Sequence, residues 1–311
     1  MINRIYETTR IDLRLKSVTS LSAQKIRCRA IADTDREAVI ALLSAGFKDR
    51  HRHYWQRGIE RLARRKVPEG RQRYGFVLDA GHKLAGIILL IWSTRIHEGI
   101  EVEIANVAGW YVEPEYRGYA QLLVSVALRD RKAAYLNISP APHTWPILEN
   151  QGYRQYCSGL FFAAAPLVRA VAGVKVEAVS AGRNSPAIEA LAEYEMLREH
   201  ASFGCIVLIC NHGGQLYPFI FRRFIIRSGL IPTPGAMTIY CRNQAELTRF
   251  AGNIGWYLLP RAMPVIIMDA NGPIAGLAGF YTERSGRKYC RGPCQPQLCD
   301  LSNTEFAIFG L

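Results

Sequence analysis

The feature that most constrains this chain is a strand pattern that runs straight into a helix pattern between residues 102 and 132. An apolar stretch ends in Trp110-Tyr111-Val112, six residues follow as Glu113-Pro114-Glu115-Tyr116-Arg117-Gly118, and the apolar positions then take helical spacing from Ala120. A helix that leaves a strand with no spare residues must fold back over the sheet, so the chain belongs to the layered α/β class. Glu113 to Leu122 also has the layout of a pyrophosphate loop, with a helix N-terminus behind it and the fixed charge of Arg117. A plain strand-to-helix turn has the same layout, and both readings stand on these residues alone.

The flanking segments place this connection within a longer order. IRCRAI predicts a strand, and ADTDREAVIALLSAGF a helix that Asp33 or Thr34 can cap, with Val39, Ile40, Leu42 and Leu43 on its apolar face. A second helix carries Trp55, Ile59, Leu62 and Ala63 inward and a dense basic face outward. RYGFVLD and LAGIILLIW then read as a hairpin across Ala80-Gly81-His82-Lys83. Beyond the loop, a helix to about Lys132, a strand AAYLNIS, a short helix ending at Gly152 and a strand SGLFFAA complete the first half.

With 311 residues the chain exceeds ordinary single-domain size. Residues 1–25 read as an extension, 26–164 as one α/β domain, and the Ala-, Gly- and Pro-rich stretch 165–186 as a linker. Residues 187–311 read as a second α/β unit: a helix PAIEALAEYEMLREH, a hairpin across Asn211-His212-Gly213-Gly214, a strand TIYCR, a helix QAELTRFAGNIGWYLL, a hairpin PVIIMDANGPIAGLAGFY and a strand TEFAIFGL. Asp79 to Gly86 and Asp269 to Gly276 share a pattern at an offset of 269 − 79 = 190, which suggests two copies of one fold. On that alignment TEFAIFGL matches the strand before the loop, so the second copy would be partial and loopless.

The formal charge of +13 favours acidic partners, among them phosphate-bearing small molecules. Its densest patch, residues 50–73, reads as a helix with a solvated basic face, and no zinc-finger or RNA-recognition signature accompanies it, so a nucleic-acid partner is not expected. The longest apolar run, Leu84 to Trp92, is far short of the roughly 18 residues a membrane span requires. Eight cysteines without an export signal suit reduced thiols in a cytoplasm. Cys290, Cys294 and Cys299, with Cys205, Cys210 or His212, have the residue types of a zinc site but not the short Cys-x-x-Cys spacing, and no metal is expected. Cys157 and His143 lack a third orienting group, so a buried structural cysteine is the reading there.

Residues 26–163 resemble the GCN5-related N-acetyltransferase superfamily in their element order and in Val112-Glu113-Pro114-Glu115-Tyr116-Arg117-Gly118. LENQGYRQY, 148–156, sits where that family has a helix ending in Gly and an aromatic residue. The resemblance implies a GNAT-type acyl-CoA N-acyltransferase fold with a mixed sheet, followed by a second, partial GNAT-like α/β unit as in tandem members. It further implies acetyl-CoA or another acyl-CoA as substrate and an amine acceptor attacking the thioester directly. Tyr111 and Val112 would line the pantetheine arm, and Arg117, Gly118, Tyr119, Ala120, Gln121 and Leu122 would face the pyrophosphate. Ala120 and Leu122 stand where the family loop carries small residues, usually Gly and then Gly or Ala, and Leu148 stands where it carries a proton-donating Tyr. Tyr153, Tyr156 and His143 are the nearby substitutes. Glu103 is the first candidate for general base, with Glu101 and Asn106 on or beside the same strand. A GNAT-fold protein that holds CoA without turnover, and a tandem aminoacyl- or peptidyl-transferring relative, are the alternatives.

Overall fold

The computed structural model describes residues 26–97, 100–226, 232–293 and 296–310, without the side chains of 96, 97 and 100. The expected extension 1–25 and Cys294 lie outside these residues. The first half follows the expected order with one unexpected strand, β6, before the last: β1 (Arg27–Ala30), α1 (Arg36–Gly46), α2 (Arg52–Arg64), β2 (Gly75–Asp79), β3 (Leu84–His97), β4 (Ile100–Val112), α3 (Ala120–Ala127), β5 (Ala134–Asn137), α4 (Trp145–Asn150), β6 (Arg154–Cys157) and β7 (Gly159–Ala163). Val39, Ile40, Leu42 and Leu43 of α1 are buried, as are Trp55, Ile59 and Leu62 of α2, so each helix docks on the stripe its apolar spacing defines. Helix α3 ends five residues before the expected Lys132, and Asp130 beyond it is drawn to Arg71 at 2.5 Å.

The second half comprises β8 (Lys175–Ala178), α5 (Pro186–Glu189), α6 (Tyr194–Ser202), β9 (Ile206–His212), β10 (Gln215–Ile226), β11 (Thr233–Cys241), α7 (Gln244–Leu258), β12 (Val265–Ala270), β13 (Gly279–Thr282), β14 (Lys288–Arg291) and α8 (Glu305–Ile308). The stretch expected as a linker thus contains a strand, β8, which pairs with β9. The single helix expected over 186–200 is two, and Glu193, just before α6, is drawn off to Arg242 at 2.6 Å.

Two seven-stranded mixed sheets result, ordered β1-β2-β3-β4-β5-β14-β6 and β13-β7-β12-β11-β10-β9-β8. Each has one parallel pair, β4 with β5 and β11 with β12. Each also takes one strand from the other half: β14 lies between β5 and β6, and β7 lies between β12 and β13. Across this exchange the Lys288 ammonium meets the Asp269 carboxylate at 2.7 Å, both side chains 1% exposed.

Three sequence expectations are corrected. PVIIMDANGPIAGLAGFY is not a hairpin, because β7 separates β12 from β13. The Asp79–Asp269 echo therefore aligns unlike elements: the counterpart of the β2–β3 hairpin is β9–β10, an offset of 213 − 81 = 132 between their turn glycines. TEFAIFGL is not a strand. Its core, Glu305–Ile308, is the short helix α8, buried between the halves. The second unit is consequently fuller than expected, with its own strand-to-helix connection from β11 to α7.

The basic face of α2 is also less solvated than its composition suggests. Arg57 donates to the Phe309 carbonyl at 2.9 and 3.2 Å, Arg61 to those of Ile308 at 2.6 Å and Phe203 at 3.0 Å, and Arg65 to the Asn303 side chain at 2.6 Å. With Arg222 on the Ala307 carbonyl at 2.8 Å, these guanidiniums satisfy the carbonyls that a helix C-terminus leaves unpaired.

Candidate active site

Strand β4 pairs with β3 along its whole length, but with one irregularity. Leu89 opposes Gly109 while Leu90 opposes Val107, so Ala108 is an extra residue in a β-bulge. On its other side β4 pairs with β5 only from Ile104 to Asn106. Past Asn106 that ladder ends, leaving the Val107–Val112 edge without a strand partner on this side among the described residues. Backbone donors and acceptors along such an edge can pair with an extended ligand chain.

This edge leads into the loop. Pro114–Tyr119 form a 3-10 helix that passes into α3 at Ala120. Val112 is buried beneath it, and Arg117, Gly118, Tyr119, Gln121 and Leu122 are exposed, with Ala120 half-buried. Tyr111 turns to the α1 side, where its ring covers Gly46 so closely that a Cβ there would lie 2.4 Å from it. The loop's base is pinned by an ion pair of Lys83 with Glu113 at 2.5 Å and by Lys83 lying over the Tyr116 ring. Arg117 forms no ion pair among the described residues. Gly118 has an ordinary φ, and a Cβ added to it would meet nothing within 4 Å, so the fold itself does not require glycine there. From Gln121 a groove of about 360 Å³ runs along α3 past Ser125 to Arg129, Arg131 and Arg291. A wider depression of about 500 Å³, at Arg183, Glu189 and Arg198, belongs to the second unit and touches none of these elements.

The candidates for proton transfer fall on opposite faces of the sheet. Glu103 shares the α3 and α4 face with Ala105 and Val107 and accepts from the Arg71 Nε at 3.0 Å. The Arg71 guanidinium lies 4.3 Å over the Trp92 ring and also binds Asp130. Glu101, on the same face, is exposed. Tyr153 is buried in the apolar cluster beneath α3 and α4 beside Leu148, and burial pushes its phenol above the usual range. Tyr156 is likewise raised by burial.

Asn106 points to the other face, with Ile104 and Ala108, and is 1% exposed. Its Nδ2 donates to Glu305 at 2.6 Å, and Ser139, just past β5, donates to the other Glu305 oxygen at 2.6 Å. Burial raises the Glu305 carboxyl above its ordinary value, against the two hydrogen bonds. The Asn106 Oδ1 is buried without a partner among the described residues. Sequence reasoning missed Glu305 because the signal was slight: one acidic residue in an otherwise apolar stretch, read as a strand.

In the second unit, β11 and α7 are joined by Arg242 and Asn243 alone. Arg242 is held by Glu193, and Asn243 caps α7 by accepting from the Glu246 amide at 2.8 Å. Cys290 and Cys299 are both buried. No group of three metal-binding side chains occurs among the described residues, and no helix there is long and apolar enough to cross a membrane.

No family model and no curated protein matches this sequence. Solved structures do resemble it. A GCN5-related N-acetyltransferase from Anabaena variabilis superposes with a TM-score of 0.58 at 14% identity, over 86% of this chain and 72% of that one. A probable N-acyltransferase from Enterococcus faecalis gives 0.55 at 13% identity over 91% and 74%. A putative acetyltransferase from Pyrococcus horikoshii gives 0.52 at 11% over 96% and 98%. At these identities the likeness is one of fold, and it extends over both sheets. The chain therefore has the GCN5-related N-acetyltransferase fold, built as two mixed sheets that exchange one strand.

Proposed function

We propose that this protein is an acyl-CoA-dependent N-acyltransferase that moves an acyl group, acetyl by default, from the thioester to an amine. The observation that carries this reading is the β4 edge that is left unpaired past Asn106 and leads to an exposed Arg117, without an ion pair among the described residues, and an unencumbered Gly118. In this reading the pantetheine arm lies along Val107–Val112 and the pyrophosphate over Arg117 to Leu122, at the start of α3. Backbone groups at the Ala108 bulge orient the thioester carbonyl, and the oxyanion formed on attack is met by groups already in place. The β11–α7 connection is too short and too occupied to hold a second pyrophosphate, so the second unit shapes the acceptor side. Cys28, Cys157, Cys205, Cys210, Cys241 and Cys299 are free thiols, which suits a reducing, cytoplasmic setting.

A second reading, CoA binding without turnover, rests on Leu122 within the loop and on Leu148, which is buried where a proton-donating tyrosine is expected. Titration calorimetry with acetyl-CoA, longer acyl-CoAs and free CoA tests the binding half of the proposal. Release of free thiol in the presence of primary amines separates the two readings. Of the arginines that prompted the RNA-using alternative, Arg57, Arg61 and Arg73 are committed to main-chain carbonyls and Arg52 and Arg71 to carboxylates within the molecule, so an amine acceptor is the partner proposed.

A further inference from the structure

We propose that Asn106 and Glu305 form the acceptor-amine site: the Asn106 Oδ1 and the Glu305 carboxylate accept the amine's N–H bonds, and Glu305 takes its proton. This inference rests on the acyltransferase reading above and names where its second substrate binds.

Three observations carry it. Asn106 is the last β4 residue paired with β5, so it stands where the unpaired β4 edge along which the acyl chain would lie begins. Its side chain is 1% exposed and its Oδ1 has no partner among the described residues, a costly state for a buried amide oxygen unless a ligand supplies the donor. The cluster otherwise presents a carboxylate, whose oxygens accept from Asn106 and Ser139 at 2.6 Å each. An amide oxygen beside a carboxylate is a set of acceptors, and a primary amine supplies only N–H donors to such a set.

The chemistry balances. The amine nitrogen attacks the thioester carbon, the C–N bond forms, and the C–S bond breaks with its electron pair leaving on sulfur. The amine proton passes to Glu305 and is returned to the departing thiolate, directly or through water, giving amide and free CoA. The groups facing Glu305 are Ser139 past β5, Asn106 on β4, Tyr54 on α2 and Lys288 on β14. Arg57, Arg61 and Arg222 hold the carbonyls at the far end of α8. Burial acts against the charge on Glu305, which brings a carboxylate closer to the basicity an amine proton requires.

The test compares the full-length wild type with Glu305→Gln and Asn106→Ala, using acetyl-CoA and three primary-amine probes: spermidine, glucosamine and a lysine-containing peptide. Calorimetric affinity for acetyl-CoA is measured beside thiol release as a function of pH. Glu305→Gln should bind acetyl-CoA as the wild type does and lose roughly 10²- to 10³-fold in kcat, together with the acidic limb of the pH profile. Asn106→Ala should raise the amine KM at least about tenfold with acetyl-CoA affinity unchanged, since it removes the orienting acceptor. Unchanged kcat and pH profile in Glu305→Gln would overturn the inference and leave the acyltransferase reading standing. Acetyl-CoA binding without turnover of any probe would overturn the inference together with the acyltransferase reading and support the binding-only one. Failure of the wild type to bind any CoA species would remove both.

Discussion

Gly118 separates folding from ligand binding at a single residue. Nothing surrounds its Cβ position and its φ is ordinary, so Gly118→Trp is expected to leave the melting temperature within about 1 °C while abolishing acetyl-CoA binding. A parallel fall in both would show that the loop is only structural. Glu305 gives a pH signature of its own. Its carboxyl is raised by burial, so the folded state holds the proton better than the unfolded chain does. Its contribution to stability is full below the ordinary glutamate range and is lost as pH rises toward the folded value. Denaturant unfolding of Glu305→Gln should therefore show a flatter stability–pH curve above pH 4.5 than the wild type. The two residues also differ in how they could be read. Arg117 and Gly118 lie within one continuous strand-loop-helix stretch, whose chemistry is local. Glu305 reaches Asn106 across 199 positions, and only packing makes that pair.

At the scale of elements, the exchanged strands depend on a buried charge pair. Lys288 on β14 and Asp269 on β12 are both 1% exposed at 2.7 Å, so removing either partner strands the other in the interior. Asp269→Asn or Lys288→Met should cost about 3–5 kcal/mol by denaturant unfolding, and an apolar replacement of both should recover much of that loss. An additive double variant would mean the charges do not couple. Most helices and strands of the first half were legible because their apolar stripes follow periods of 3.6 and 2. The exchange was not, because pattern within a segment carries no information on which sheet it joins. SGLFFAA reads correctly as a strand, yet as β7 it lies between β12 and β13 of the other sheet. The TEFAIFGL stretch is a short apolar run of strand-like length, but Arg57, Arg61 and Arg222 meet its carbonyls and a short helix forms instead.

For the whole molecule, a charge of +13 is partly an internal adhesive. The α2 arginines tie the first half to the segment that delivers Glu305. Arg61→Ala is thus expected to lower stability by about 1–3 kcal/mol, by leaving the Ile308 carbonyl unpaired. A surface role for this arginine would instead leave the unfolding midpoint in place. The central claim is that the β4 edge and the loop at Arg117 bind an acyl-CoA, and calorimetric titration of the purified protein with acetyl-CoA tests it most directly. The structure predicts binding in the micromolar range that is lost in Arg117→Ala and Gly118→Trp. No heat from the wild type with acetyl-CoA, longer acyl-CoAs or free CoA would contradict it.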